Sequence, residues 1–229
     1  MTELRTVKAT SRPRSVGVIF SEQDLHRALR LRTPPDVFEL RLDGLIGSLR
    51  ELPASIPRLR APLIITARAT IEGGANNLSL ARRRDLLMRF LPAATFIDVE
   101  LSSATRLSAL LKRARGGNLQ VILSLHNLVA MPPLAALQAA ARRAQSLGAD
   151  IFKVVARTDR SDQLRNLIQL MQSRTSPIPI SAMGLGKLGR NSRVLLANAG
   201  SALNYAHLGI ETVEGQWSLA QLRAAMDTK

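Results

Sequence analysis

The run Val121-Ile122-Leu123-Ser124-Leu125-His126 is separated from Ile151-Phe152-Lys153-Val154-Val155 by a helical pattern over residues 134–147, which stops at Gly148. Short apolar runs rich in β-branched residues read as strands, and a glycine just past a periodic stretch reads as a helix stop. Two strands joined through a helix of that length form a parallel crossover unit. Working outward, the alternation repeats. Strand-like runs occupy residues 16–20, 37–41, 63–67, 95–100, 121–125, 151–155, 178–182 and 201–205. Helical patterns cover 24–31, 78–91, 104–114, 134–147, 163–173, 193–199 and 217–226. Gly116-Gly117 closes the third of these, and Ser218 is placed to open the last.

Eight such units predict an α/β protein, a single-domain (β/α)8 TIM barrel over residues 1–229, with residues 1–14 a flexible N-terminal extension. The strand runs read as apolar on both faces, as parallel strands covered by helices should. A doubly wound open sheet is the rival, but no linker or shift in composition divides the chain.

The 229 residues are 46% hydrophobic, enough for one sizeable core. There is no cysteine, which excludes disulfides, thiol catalysis and thiolate metal sites. Three histidines (His26, His126, His207) argue against a histidine-rich metal centre. The net charge is +15; five of the 32 basic residues are lysines (Lys8, Lys112, Lys153, Lys187, Lys229) and the other 27 are arginines. Such a balance raises nucleic acid or an anionic membrane surface as partners. Yet aromatics are only 3%, with one Trp and one Tyr, so a stacking platform for single strands is lacking. The arginines are scattered, and their densest run, Arg82-Arg83-Arg84, falls inside a helical pattern. A solvated basic surface is the simpler reading, with some arginines free to bind a small carboxylate. Residues 1–14 lack the apolar stretch of a secretory signal, and no segment approaches the length of a membrane helix; cytoplasm is the simplest compartment.

Barrel active sites form where strands end. Glu39 and Arg41 end the second run at i, i+2 and share one face. Arg68 follows the third run, and Glu72 lies beside Gly73-Gly74. Asp98 and Glu100 end the fourth run at the same spacing, and His126 follows the fifth. Each has a structural explanation, such as an ion pair for Glu39 with Arg41 or a bracing role for Asp98 and Glu100. Lys153, flanked by Ile151, Phe152, Val154 and Val155, is harder to dismiss. Lysine is rarely buried without a partner, and desolvation makes an amine a nucleophile for carbonyl carbon. Gly184-Leu185-Gly186-Lys187-Leu188-Gly189 matches a dinucleotide fingerprint, but it follows the seventh strand with one βα unit left, too little for a nucleotide-binding half. An anion-holding turn fits that position better.

These residues resemble the type I 3-dehydroquinate dehydratase family of the shikimate pathway. The likeness is carried by Phe38-Glu39-Leu40-Arg41-Leu42-Asp43, Thr66-Ala67-Arg68 with Glu72-Gly73-Gly74, and Ile97-Asp98-Val99-Glu100-Leu101. It continues through Ser124-Leu125-His126, Gly148-Ala149-Asp150-Ile151-Phe152-Lys153, Met183-Gly184, Ser192-Arg193, Gly200-Ser201 and Gly215-Gln216. The set runs in order over nearly the whole chain. The resemblance implies a homodimeric barrel that eliminates water from 3-dehydroquinate to give 3-dehydroshikimate, a lyase of aromatic amino acid biosynthesis. It makes Lys153 the Schiff-base lysine, His126 the general base and acid, and Glu72 the glutamate that assists it. Arg193 falls on the residue that binds the substrate carboxylate. Glu39, Arg41 and Arg68 fall on residues around the hydroxyls, and Thr212 and Gln216 on the mobile loop after the eighth strand. It implies no metal or organic cofactor, a small-molecule substrate, and neither nucleic acid nor membrane as partner.

Three departures stand out. Asn127 replaces a common aspartate beside the histidine, Leu185 a common methionine, and Val213-Glu214 the Ala-Pro of the lid. Loss of the proline predicts a looser lid, and Glu214 a stray negative charge. The alternatives are another Schiff-base barrel enzyme, such as an aldolase on a different keto acid, and a basic nucleic-acid-binding protein on an inactive barrel.

Overall fold

The short apolar runs become parallel strands because each is bounded by turn residues and followed by enough chain to cross back over the sheet. The computed structural model describes residues 13–173 and 178–227. Strands β1 (Arg14–Ile19), β2 (Val37–Arg41), β3 (Leu63–Thr66), β4 (Phe96–Glu100), β5 (Gln120–Asn127), β6 (Ile151–Arg157), β7 (Ile180–Leu185) and β8 (Leu203–His207) form one parallel sheet. Helices α1 (Glu22–Arg30), α2 (Leu52–Ser55), α3 (Leu80–Phe90), α4 (Ser108–Gly116), α5 (Leu134–Ser146), α6 (Ser161–Gln172), α7 (Gly189–Asn198) and α8 (Leu219–Asp227) alternate with them. Each strand pairs with its predecessor except β8, which pairs with β1. That order excludes the doubly wound sheet and wraps the strands into a barrel.

The β7–β8 seam carries no ladder and is closed by scattered bonds. Ala202 N donates to Ile180 O (2.9 Å), Ser181 Oγ to Leu203 O (2.7 Å), and Ala182 N to Ser201 Oγ (3.0 Å). Of the extension expected over residues 1–14, residues 1–12 lie outside the described residues, and Arg14 already pairs with Leu203 in the sheet.

Local chemistry explains most boundaries. Ser21 and Asp24 form a reciprocal capping box that opens α1. Ser218 and Gln221 exchange equivalent bonds at α8, as the sequence suggests. α4 stops at Gly116 with Gly117 as its C-cap, as the sequence suggests, and Asn118 (φ 61°) takes the left-handed position just beyond. Strands β5, β6 and β7 run two or three residues beyond their apolar runs, which brings His126 inside β5.

The expectation that both strand faces are apolar holds for the outer face only. Between sheet and helices lies a continuous core that includes Phe38, Leu40, Ile65, Ile97, Leu123 and Phe152. Inside, Val16, Val37, Ile64, Phe96, Ile122 and Ile151 fill the end at which the strands begin. Higher up, the interior is polar: Glu39, Thr66, Asp98, Ser124, Lys153 and Ser181 are all buried. Among the described residues no helix is long and apolar enough to cross a membrane.

Candidate active site

Strand periodicity places the polar residues. Ser124 sits in register with Glu100 on one side and Lys153 on the other, so alternate positions of neighbouring strands face the same interior. Lys153 Nζ lies 3.0 Å from Asp98 Oδ2 and 3.5 Å from Glu39 Oε1, and 3.9 Å from the centroid of the Tyr205 ring. The amine therefore emerges from an apolar strand into an ionic socket, with the carboxylate partners that a buried lysine needs. Glu39 also accepts from Thr66 Oγ1 (2.8 Å). Its expected ion pair with Arg41 is not made. Arg41 instead forks onto Asp43 at 2.9 and 2.7 Å, and burial of Asp43 is outweighed by that guanidinium and two backbone amides, which hold its carboxyl below the usual range.

Arg68 is buried just beyond β3. Its Nη2 lies 2.8 Å from Asp98 Oδ1, and its Nη1 donates to Ser124 Oγ (2.5 Å), which itself donates to Asp98 (2.6 Å). Burial pushes the Asp98 carboxyl up, but Arg68 and Lys153 outweigh it and keep the group ionised. The sequence offered Asp98 a bracing role, and it braces Arg68 and Lys153. Ser124 and Tyr205 were not given a place in the site; the i, i+2 spacing of Ser124 with His126 was the available signal.

Asp43 also fixes the loop that carries Glu72, accepting from Arg68 N (3.1 Å) and Ala75 N (3.0 Å). Gly74 is required there, since a Cβ would stand 2.1 Å from Arg68 O. Glu72 Oε2 then meets both His126 Nδ1 and His126 N at 3.0 Å. Burial pushes the Glu72 carboxyl up to about 7, against Arg68 and with help from Glu100 and Asp98. Burial pushes the His126 imidazole well down, aided by Arg68 and Lys153. Asn127 points away from this pair: its Oδ1 caps Val129 N and Ala130 N and shapes the following loop.

Arg193 projects from α7. Its Nη1 donates to Gly184 O, Gly189 O and Gly215 O, and its Nε to Tyr205 O. Burial lowers it to about 10, and Glu211 is the one carboxylate that opposes the shift. It stays charged at neutral pH, a buried cation with carbonyl partners and, among the described residues, no carboxylate bonded to it.

The glycine-rich turn does not offer the anion nest expected of it. Its amides are already used: Gly186 N by Glu214 O, Lys187 N by Asp159 Oδ1, Leu188 N by Thr158 O and Gly184 N by Ser192 Oγ. The turn anchors the loop after β8. In that loop Glu211 Oε1 accepts from Gly215 N and Gln216 N, and Gln216 Oε1 accepts from Thr212 N and Oγ1. Glu214 is not a stray charge, since Arg157 Nη1 lies 3.0 Å from its Oε2.

One cavity at the strand C-terminal end brings together every residue that the resemblance placed in the site: Glu39, Arg41, Arg68, Glu72, His126, Lys153, Arg193, Thr212 and Gln216; Asp98 and Glu100, also singled out at a strand end, do not line it. Leu185 lines its apolar side with Met183 and Val155. The chemistry available is an amine, an imidazole–carboxylate pair, and a buried guanidinium that can meet an anionic group.

The family model described as Type I 3-dehydroquinase matches residues 14–229. A 3-dehydroquinate dehydratase from Methanothermobacter thermautotrophicus is 35% identical over 185 residues, 79% of either chain. One from Klebsiella pneumoniae is 28% identical over 207 residues, covering 84% of this chain and 82% of the other. Among solved structures, 3-dehydroquinate dehydratase from Geobacillus kaustophilus superposes with a TM-score of 0.85 at 25% identity, covering 94% of this chain and 90% of that one.

Proposed function

The chain belongs to the type I 3-dehydroquinase family, and from that premise we propose that it eliminates water from 3-dehydroquinate, giving 3-dehydroshikimate, through an iminium on Lys153. The observation that carries the reading is the meeting of Lys153, the His126–Glu72 pair and the carboxylate-free Arg193 around one cavity.

The cycle follows from these groups. Lys153 sheds a proton to a neighbouring base and attacks the ketone carbon; loss of that oxygen as water leaves a cationic iminium. The iminium withdraws electrons from the adjacent C–H, whose proton His126 takes. The resulting enamine expels the β-hydroxyl, which leaves as water with a proton returned by His126. A second water then hydrolyses the iminium, freeing ketone and amine, so one water is lost overall. Asp98 and Glu39 stand beside the positive charge of the resting ammonium and of the iminium, the two cationic forms of the Lys153 nitrogen in the cycle. Glu72 orients His126, Arg193 takes the substrate carboxylate, and Arg41, Arg68, Thr212 and Gln216 frame the hydroxyls.

In this reading residues 1–229 make one catalytic domain, acting as a homodimer in the cytoplasm on a small molecule, with neither nucleic acid nor membrane as partner. The support for the dimer and the compartment is the family likeness. Borohydride added with 3-dehydroquinate should fix a covalent mass on Lys153, while the enone product absorbs in the ultraviolet. A protein that forms no adduct, or forms one after Lys153→Ala, does not use this mechanism. An adduct with other keto acids but not with 3-dehydroquinate would favour the aldolase alternative.

A further inference from the structure

Six buried charges alternate in sign from the outer helix α3 through the reactive amine to Glu39 beyond it. Arg83 Nη1 lies 2.6 Å from Glu100 Oε2, and Glu100 Oε1 lies 3.8 Å from Arg68 Nη1. Arg68 Nη2 lies 2.8 Å from Asp98, Asp98 lies 3.0 Å from Lys153 Nζ, and Lys153 lies 3.5 Å from Glu39. All six are at most 5% exposed. The row holds three cations and three carboxylates, so it is neutral as a unit.

Arg83 is the middle of the triple arginine run. Arg82 and Arg84 are exposed, and Arg84 pairs with its neighbour Asp85 at the surface. Arg83 turns inward, although its Nε finds no partner among the described residues. The carboxylate it holds also accepts Ala69 N at 2.6 Å, the amide just after Arg68 in the loop that carries Glu72. A buried charge stripped of its partner acts on every neighbour through a low dielectric.

We propose that Arg83 is a positioning residue for the dehydration: by holding Glu100 it fixes the loop bearing Arg68 and Glu72 and keeps the buried row neutral. The inference rests on the roles proposed for Lys153, His126 and Glu72. Without Arg83, Glu100 competes with Asp98 for Arg68, and the row carries one excess negative charge. Glu72 faces Arg68, Glu100 and Asp98, and His126 faces Arg68, Lys153, Asp98 and Arg41. An added negative charge favours the protonated form of both groups, so the pH at which the pair becomes a base rises.

The test compares Arg83→Gln, Arg83→Lys and the charge-balanced double variant Arg83→Gln/Glu100→Gln in the full chain. Rates with 3-dehydroquinate are measured across pH alongside borohydride trapping and thermal melting. Arg83→Gln should lower kcat by about tenfold with little change in KM, as for a residue acting through another. Its ascending pH limb should move up by about half a unit. Arg83→Lys should keep the wild-type limb, and the double variant should return the limb to its wild-type position even with a lowered rate. An Arg83→Gln protein with wild-type kcat and pH profile overturns the inference. So does an Arg83→Lys protein as impaired as Arg83→Gln with no movement of the limb in either. If Arg83→Gln does not fold, the double variant decides, and a limb displaced from wild type overturns the proposal. Failure of wild-type protein to trap at Lys153 would remove the underlying reaction; normal trapping with an indifferent Arg83 would remove only this inference.

Discussion

Glu72 Oε2 meets His126 twice, at the ring Nδ1 and at the backbone N, both at 3.0 Å. The two contacts fix ring and main chain against one oxygen, so the imidazole is oriented before substrate arrives. Burial drives the two groups in opposite directions, the carboxyl up to about 7 and the imidazole well down. They share one proton near neutrality and titrate as a pair. The basic form of the pair accumulates as pH rises, so kcat/KM should climb through a limb near pH 7. Glu72→Gln removes a carboxylate 3.0 Å from the imidazole, leaving Asp98 to favour an imidazolium and Arg68 and Lys153 to oppose it. The limb should then move to lower pH while kcat falls by about 10- to 100-fold through lost orientation. A limb unmoved in Glu72→Gln would show that another group sets it.

The same burial gives a stability signature. Glu72 has a folded-state pKa raised above its unfolded value near 4.5. Its contribution is present below that unfolded value and is lost as pH rises through about 7. Chemical denaturation of wild type and Glu72→Gln at pH 5 and pH 8 should show the wild type losing more stability between the two. A wild-type protein that loses no more than the variant over that interval would mean that Glu72 is not desolvated as its surroundings indicate.

Tyr205 faces Lys153 with its ring at 3.9 Å, and its hydroxyl is buried without a partner among the described residues. The ring is the useful part: an aromatic face against a desolvated cation contributes up to about 2 kcal/mol. Tyr205→Phe should keep activity and hold or raise the melting temperature, because an unsatisfied polar atom is removed. Tyr205→Leu should lower kcat by about tenfold. Equal loss in both variants would assign the effect to the hydroxyl instead.

The eight strands were legible because period and punctuation agree: apolar runs closed by glycine, proline and capping residues leave few other foldings. Glu39, Lys153 and His126 were legible for a related reason, as polar residues in runs that otherwise pack. The partners of those residues were not. Nothing along the chain says that Glu39 turns to Lys153, 114 positions away, while Arg41 turns to Asp43. Arg83 was hidden by its neighbours, since a run of three arginines on a helix reads as solvated surface and only the packing of α3 tells which one turns in. The seam between β7 and β8 depends on hydroxyls of Ser181 and Ser201, residues that sequence pattern treats as neutral.

Gly184 shows what the glycine-rich turn is for. A Cβ at this position would stand 2.7 Å from Ser192 Oγ, 2.8 Å from Thr158 Oγ1 and 2.9 Å from Thr158 Cβ. Ser192 Oγ also accepts Gly184 N at 2.9 Å, so it cannot retreat without losing that bond. Gly184→Ala should cost about 1–3 kcal/mol by overpacking, read as a lower melting temperature. Gly184→Ala combined with Ser192→Ala should recover part of the loss. No loss in the single variant would mean that β7 and α7 have room to part.

The loop over the cavity was expected to be loose, for want of a proline. Ion pairs stand at this loop: Arg157 forks between Asp159 (2.7 Å) and Glu214 (3.0 Å), and Arg190 lies 3.6 Å from Glu211. These groups are partly or fully exposed, so salt screens them, unlike the buried row beneath. In the proposed reaction, closure of this loop excludes water from the iminium and its strength governs how long substrate is held. Glu214→Gln should therefore raise KM by about threefold at low salt. Adding salt should raise the wild-type KM towards that of the variant and leave the variant nearly unchanged. Parallel salt curves for the two proteins would show that the ion pair does not hold the loop, and that the backbone bonds to Gly186 and Arg193 suffice.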